Sequence, residues 1–173
     1  GYAALTANTS QNNTAVGRSA LAASTTGNNN TAVGRLAMGS ADVTGTNNVA
    51  MGYQALYADT TGVDNIAIGG NAMVANTTGA YNVAIGKQAL QTSTTVNANT
   101  AVGYRALMTS AANINVAVGF DAMANSSTAT NSVAIGGYAL TTNTTGNQNV
   151  PIGYAAGRLN TTGSANRSVG YQA

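Results

Sequence analysis

One spacing governs this chain. A Gly preceded by an apolar residue returns at Gly17, Gly34, Gly52, Gly69, Gly86, Gly103, Gly119, Gly136, Gly153 and Gly170, and Gly1 stands in the same phase. The intervals are 16, 17 or 18 residues, and most are 17. A fixed period determines architecture before any local propensity does. Ten repeats occupy residues 1–173 as a single array, leaving no room for a second domain. Length changes fall in the polar stretch of the repeat, as expected of a loop.

Each position of the repeat has a character. Four residues before the Gly stands Asn, at Asn13, Asn30, Asn48, Asn65, Asn82, Asn99, Asn115, Asn149 and Asn166, with Ser132 as the substitute. The residue just before the Gly is apolar, as at Val16, Val33, Ile68, Ile85 and Ile135. Three residues after it stands Ala, from Ala4 and Ala20 to Ala156 and Ala173, without exception. The next position is Leu or Met (Leu5, Leu21, Met38, Leu56, Met73, Leu90, Leu107, Met123, Leu140), and Gly157 is the one lapse.

Seventeen residues are too few for a helical hairpin, and β-branched residues mixed with Gly, Asn and Thr disfavour helix on propensity. In Asn-Val-Ala-Ile-Gly a period of two puts Val and Ile on one face and Asn and Ala on the other, predicting a half-buried strand of about four residues. Gly then allows a left-handed turn, Ala-Leu returns an apolar side chain inward, and Asn-Thr-Thr-Gly makes a polar turn. The predicted fold is all-β, a parallel β-solenoid of ten coils. Coils stacked at about 4.8 Å give a rod of about 48 Å. The Gly, Asn and Ala columns are structural on this reading, serving close backbone approach and stacked amide ladders.

Each coil offers about two large apolar side chains, worth roughly 1.5–3 kcal/mol apiece on burial, against a backbone entropy cost of about 1–2 kcal/mol per residue. That thin core predicts a homo-oligomer. The small Ala face of the strand, opposite Val and Ile, is the surface expected to meet the other copies. Both ends fall in the same phase of the repeat without a distinct capping unit, so the expectation is a segment of a longer fibre or an end-to-end stack.

Composition narrows the chemistry. With no His and no Cys, the chain lacks imidazole or thiolate for a zinc site, a disulfide or a triad. The four acids Asp42, Asp59, Asp64 and Asp121 are scattered, so neither an enzyme nor a cofactor is expected. A net charge of +2 is no basic patch, and nucleic acid is not implied. No apolar run of about 18 residues is present to insert in a membrane as a helix. Gly86-Lys87 continues to Gln88 rather than Ser or Thr, which excludes a P-loop.

The position directly after the anchor Gly is the best candidate for binding. It carries Tyr2, Tyr53, Tyr104, Phe120, Tyr154 and Tyr171, with Arg18, Arg35 and Lys87 in other repeats. Aromatics beside cations suit sugar stacking or a partner surface; alternatively they cover a seam between copies. A second column, Thr26, Thr44, Thr61, Thr78, Thr95, Thr128, Thr145 and Thr162, raises an ice-binding alternative. Glycosylation sequons stand at Asn8, Asn12, Asn29, Asn76, Asn125, Asn143, Asn160 and Asn166.

Asn131 to Leu140 (Asn-Ser-Val-Ala-Ile-Gly-Gly-Tyr-Ala-Leu) and Asn12 to Leu21 (Asn-Asn-Thr-Ala-Val-Gly-Arg-Ser-Ala-Leu) resemble the head repeats of trimeric autotransporter adhesins and related bacteriophage tail-fibre repeats. The Ile-Gly of the family matches Ile85-Gly86 and Ile135-Gly136, and this repeat is longer by an Asn-Thr-Thr-Gly turn. The resemblance implies a left-handed β-roll wound into a homotrimer. It also implies an extracellular fibre on a cell or virion surface, acting as stiff spacer and adhesin towards a glycan or protein receptor. A purely mechanical filament subunit is the other reading.

Overall fold

The computed structural model describes residues 1–7, 9–39 and 42–173. Among these are ten three-residue strands: β1 (Thr14–Val16), β2 (Thr31–Val33), β3 (Val49–Met51), β4 (Ile66–Ile68), β5 (Val83–Ile85), β6 (Thr100–Val102), β7 (Val116–Val118), β8 (Val133–Ile135), β9 (Val150–Ile152) and β10 (Arg167–Val169). They form one parallel sheet in chain order. The predicted solenoid is therefore present, with strands one residue shorter than expected. Val16, Val33, Met51 and Ile68 pair in successive register, so equivalent residues of successive coils lie on one wall. Coil n is numbered here by its strand βn.

The two faces of the sheet are reversed from the expectation. The central residue of the strand, Ala32, Ala50, Ala67, Ala84, Ala101, Ala117 and Ala134, is fully buried inside the coil. The flanking Val, Ile and Met side chains point outward, and Met51, Ile85 and Ile135 are 38–40% exposed. The Ala face is thus unavailable to another copy. The reason is volume. Leu or Met from the following corner is also fully buried, and in so narrow a coil only Ala fits opposite it.

Coil 9 shows this complementarity directly. Pro151 replaces the strand Ala, and Gly157 replaces the Leu or Met. A Cβ on Gly157 would lie 3.3 Å from Pro151 Cβ and 3.4 Å from Leu140 Cδ1, so the larger proline occupies the space released by the smaller glycine. Proline also lacks the N–H for the ladder, and β8 and β9 pair only through Ile135 and Ile152.

Three corners of the coil adopt a conformation that side chains rarely take. Ser19, Leu21 and Asn29, and their counterparts along the rod such as Gln88, Leu90 and Ala98, have φ of 48–63°. This left-handed region costs a non-glycine residue about 1–2 kcal/mol. The return is an N–H aimed along the rod axis: Gln88 donates to the Gly70 carbonyl at 3.0 Å, Leu90 to Ala106 at 3.1 Å and Ala98 to Ala80 at 3.0 Å. Corners as well as strands therefore bond coil to coil.

The Asn column is bonded as predicted but less directly. Asn48 Oδ1 accepts the backbone N–H of Asn65 at 2.9 Å, while Asn48 Nδ2 donates to the Gly62 carbonyl at 2.7 Å. Each amide thus ties its own coil to the next through backbone groups. Direct amide contacts are fewer, as from Asn82 Nδ2 to Asn65 Oδ1 at 3.1 Å. Ser132 keeps the acceptor role, taking the Asn149 N–H at 3.1 Å.

The anchor glycines have φ of 129–137° and lie against one another. A Cβ on Gly69 would be 2.6 Å from the backbone carbon and oxygen of Gly86, whereas one on the adjacent Gly70 meets nothing within 4 Å. Gly69→Ala is expected to destabilise the fold by at least about 2 kcal/mol through backbone strain and overpacking. Gly70→Ala should change stability by no more than about 0.5 kcal/mol, and denaturant unfolding of the pair measures the contrast.

Candidate functional site

The candidate binding column lies where each strand turns. The anchor Gly leaves the strand, the following residue points away from the core, and the Ala three residues after the Gly closes the turn onto the Gly carbonyl, as from Ala89 to Gly86 at 3.2 Å. The residue in between is left-handed and donates to the corner carbonyl of the preceding coil: Asn71 to Tyr53 at 2.8 Å, Arg105 to Lys87 at 3.0 Å, Tyr138 to Phe120 at 2.7 Å. Side chains of successive repeats are therefore held one above another beside the outward Val/Ile face.

The predicted residues divide into two groups. Tyr104, Phe120, Tyr154 and Tyr171 join one aromatic ladder, completed by Tyr138, which sequence reading missed. Centroid separations along it are 5.0, 5.3, 5.7 and 5.4 Å. Tyr138 stands one position later than the others and fills the place left empty by Gly137. The signal was available in the sequence as Gly137-Tyr138 following the anchor Gly136. Arg105 and Arg158 lie 5.6 Å from the Tyr104 and Tyr138 ring centres. Arg105 Nε also meets Asp121 Oδ1 at 3.0 Å.

Ladder geometry limits what these rings can bind. Tyr104 and Phe120 are stacked at 29°, and Tyr154 and Tyr171 at 12°. Each of these four rings therefore has one face covered by its neighbour, which narrows the platform this half of the column offers for sugar stacking. Each ring contact is worth about 0.5–1.5 kcal/mol, which makes the ladder a splint for coils 6–10.

The other half is open. Arg35 lies 5.5 Å from the Tyr53 ring centre, and Tyr53 remains 45% exposed. Tyr2, Arg18 and Lys87 are exposed, and none of them enters the ring contacts or the ion pair found among the described residues. The structure thus does not gather the nine predicted residues into one site. Among the described residues, no group of three His, Cys, Asp or Glu is placed to hold a metal.

The polar turns hold a feature that sequence reading missed. The residue that opens the polar turn forms a second polar column, buried inside the coil at Ser24, Asp59, Asn76, Ser93, Ser126 and Asn143. Asn76 Nδ2 donates to the Gly79 carbonyl at 3.2 Å and to Asp59 Oδ1 at 2.7 Å. The sequons at Asn76 and Asn143 are therefore inaccessible, whereas Asn12, Asn29, Asn125 and Asn166 are exposed. The sequon at Asn8 lies outside the described residues.

Asp59 is fully buried, and its Oδ2 has no partner. Burial pushes its carboxyl from the ordinary 3.8 up to about 7, against the lowering influence of hydrogen bonds from Asn76 and the Gly62 backbone. The folded chain holds this proton more tightly than the unfolded one. The stability contribution is full below about pH 4 and is lost as pH rises through about 7. Thermal unfolding between pH 4 and 8 should show this decline, and Asp59→Asn should flatten it and raise the midpoint at neutral pH. A scan against protein-family models and searches of curated proteins and of solved structures found no match to this chain.

Proposed function

We propose that this chain is a segment of a structural and adhesive surface fibre of the bacterial adhesin or phage tail-fibre type, extracellular and non-catalytic. It winds left-handed and assembles as a homotrimer. The observation that carries the reading is the outward face of the sheet. Of its twenty positions, sixteen are Val, Ile or Met, and the only charge is Arg167 in β10. A continuous apolar strip of this kind marks an interaction surface, and it runs the full height of the stack. The strip is two side chains wide, and three copies can close their strips around a common axis without leaving one in water.

The same face replaces the Ala face as the seam between copies. It also supplies burial that one thin coil lacks. With the seam on one side, the corner columns remain outside, where a rod of fixed spacing presents them to a receptor. A purely mechanical filament would share the seam but need no exposed Tyr53, Arg18 or Lys87.

A specific observation also favours the ice-binding alternative. The second Thr of each pair is exposed from Thr26 to Thr162, forming one outward column. The first Thr is engaged in the stack, as from Thr77 Oγ1 to the Thr94 carbonyl at 3.1 Å. One exposed row gives a narrow surface, and coil 6 interrupts it at Ala111-Ala112. Thermal hysteresis above that of an equimolar control protein would favour this second reading, and its absence would remove it.

The fibre reading is tested by sedimentation velocity. The chain should sediment as a trimer, and Ile85→Lys with Ile135→Lys should give monomers that keep their β circular-dichroism signal. A monomeric parent chain would refute the seam.

A further inference from the structure

We infer that the gap at Gly70 is a subsite for one anionic pyranose unit of a glycan. The inference rests on the adhesive reading for its biological setting and on the following geometry for its chemistry. The corner column lacks a side chain at two places in coils 1–10, Gly70 and Gly137. At Gly137 the space is taken, since a Cβ there would lie 3.4 Å from the Tyr154 ring. At Gly70 nothing lies within 4 Å of such an atom. The column therefore contains one open slot, bounded by Tyr53 of coil 3 and Lys87 of coil 5.

Its dimensions suit a ring. Two coil steps separate the flanking positions by about 9.6 Å, and a ring in contact on both sides needs about 7–8 Å. Backbone bonds fix the spacing, from Asn71 N–H to the Tyr53 carbonyl at 2.8 Å and from Gln88 N–H to the Gly70 carbonyl at 3.0 Å. Arg35 of coil 2 lies over the Tyr53 ring, 5.5 Å from its centre, and Gly70 is the next position of the column on the other side of Tyr53.

The chemistry of the walls is complementary to an acidic sugar. A Tyr face receives the apolar C–H face of a pyranose, and an ammonium opposite receives a carboxylate or sulfate. Lys87 is exposed, and the one ion pair among the described residues is Arg105–Asp121. In the next column, Gln54 and Asn71 place two amides in register beside the glycine, while the Gln88 Nε2 donates to Gln91 Oε1 at 3.2 Å. A neutral sugar would leave the ammonium unused, and inorganic phosphate would leave the aromatic face unused.

Amide chemical-shift titration of the labelled full chain with tetragalacturonate, a sulfated tetrasaccharide and maltotetraose tests the assignment. Shifts at Gly70 and Asn71 are expected with one or both anionic sugars, and the stronger of the two identifies the acidic group. Tyr53→Ala should weaken binding a few-fold to about tenfold, in line with one lost stacking contact. Lys87→Gln should remove the preference over maltotetraose. Gly70→Leu is the decisive variant, because its side chain enters open space and should fill the slot in a folded chain. Shifts absent at Gly70 with both anionic sugars, equal with maltotetraose, or persisting in Gly70→Leu would overturn the subsite. None of these results bears on trimer formation, and a monomeric chain would leave the slot titration unaffected.

Discussion

Hydrogen bonds along the rod axis are the constraint to which the rest of this structure answers. A three-residue strand supplies little pairing by itself, so the corners must bond too. They do so by taking left-handed backbone at Leu, Met, Gln, Tyr and even Ile114, residues that avoid it elsewhere. The strain is tolerable because each such residue gains an axial bond, and because neighbouring coils hold it in place. The anchor glycines serve the same end from the other direction, having no Cβ where successive backbones come closest.

From this constraint follows the division between inside and outside. Coils of 17 residues stacked by their backbones enclose space for one large side chain and two alanines per turn. Val and Ile are displaced outward, and the chain acquires an apolar strip it cannot cover alone. The thin core and the unpaired strip are two consequences of the same narrow coil. The self-association proposed above would resolve both, and the corner columns are what such an assembly would leave in solvent.

Much of this was legible in the sequence. The period gave the stack and its register, down to Val16, Val33 and Ile68 on one wall, and the Asn column disclosed amides bonded from coil to coil. The direction of the strand faces was not legible from alternation, because a period of two says which residues share a face and not which face is inside. The pairing of Pro151 with Gly157 held that information, since a large residue in one column accompanies a small one in the other only if the two columns meet. The aromatic ladder was read in part. Tyr138 escaped because it joins from the neighbouring position, and the gap at Gly70 escaped because an open space has no signature until its neighbours are placed. The burial of Asp59 was hidden in a turn motif that reads as solvent-facing.

Distances between spin labels on the exposed Thr column test the stack most directly. Labels at Thr61 and Thr145, 84 residues apart in sequence, sit five coils apart and should give a narrow distribution near about 24 Å. Moving the second label to Thr162 should add about 4.8 Å, with unlabelled chain in excess to suppress contacts between copies. A broad distribution, or an increment unrelated to the coil spacing, would contradict the account.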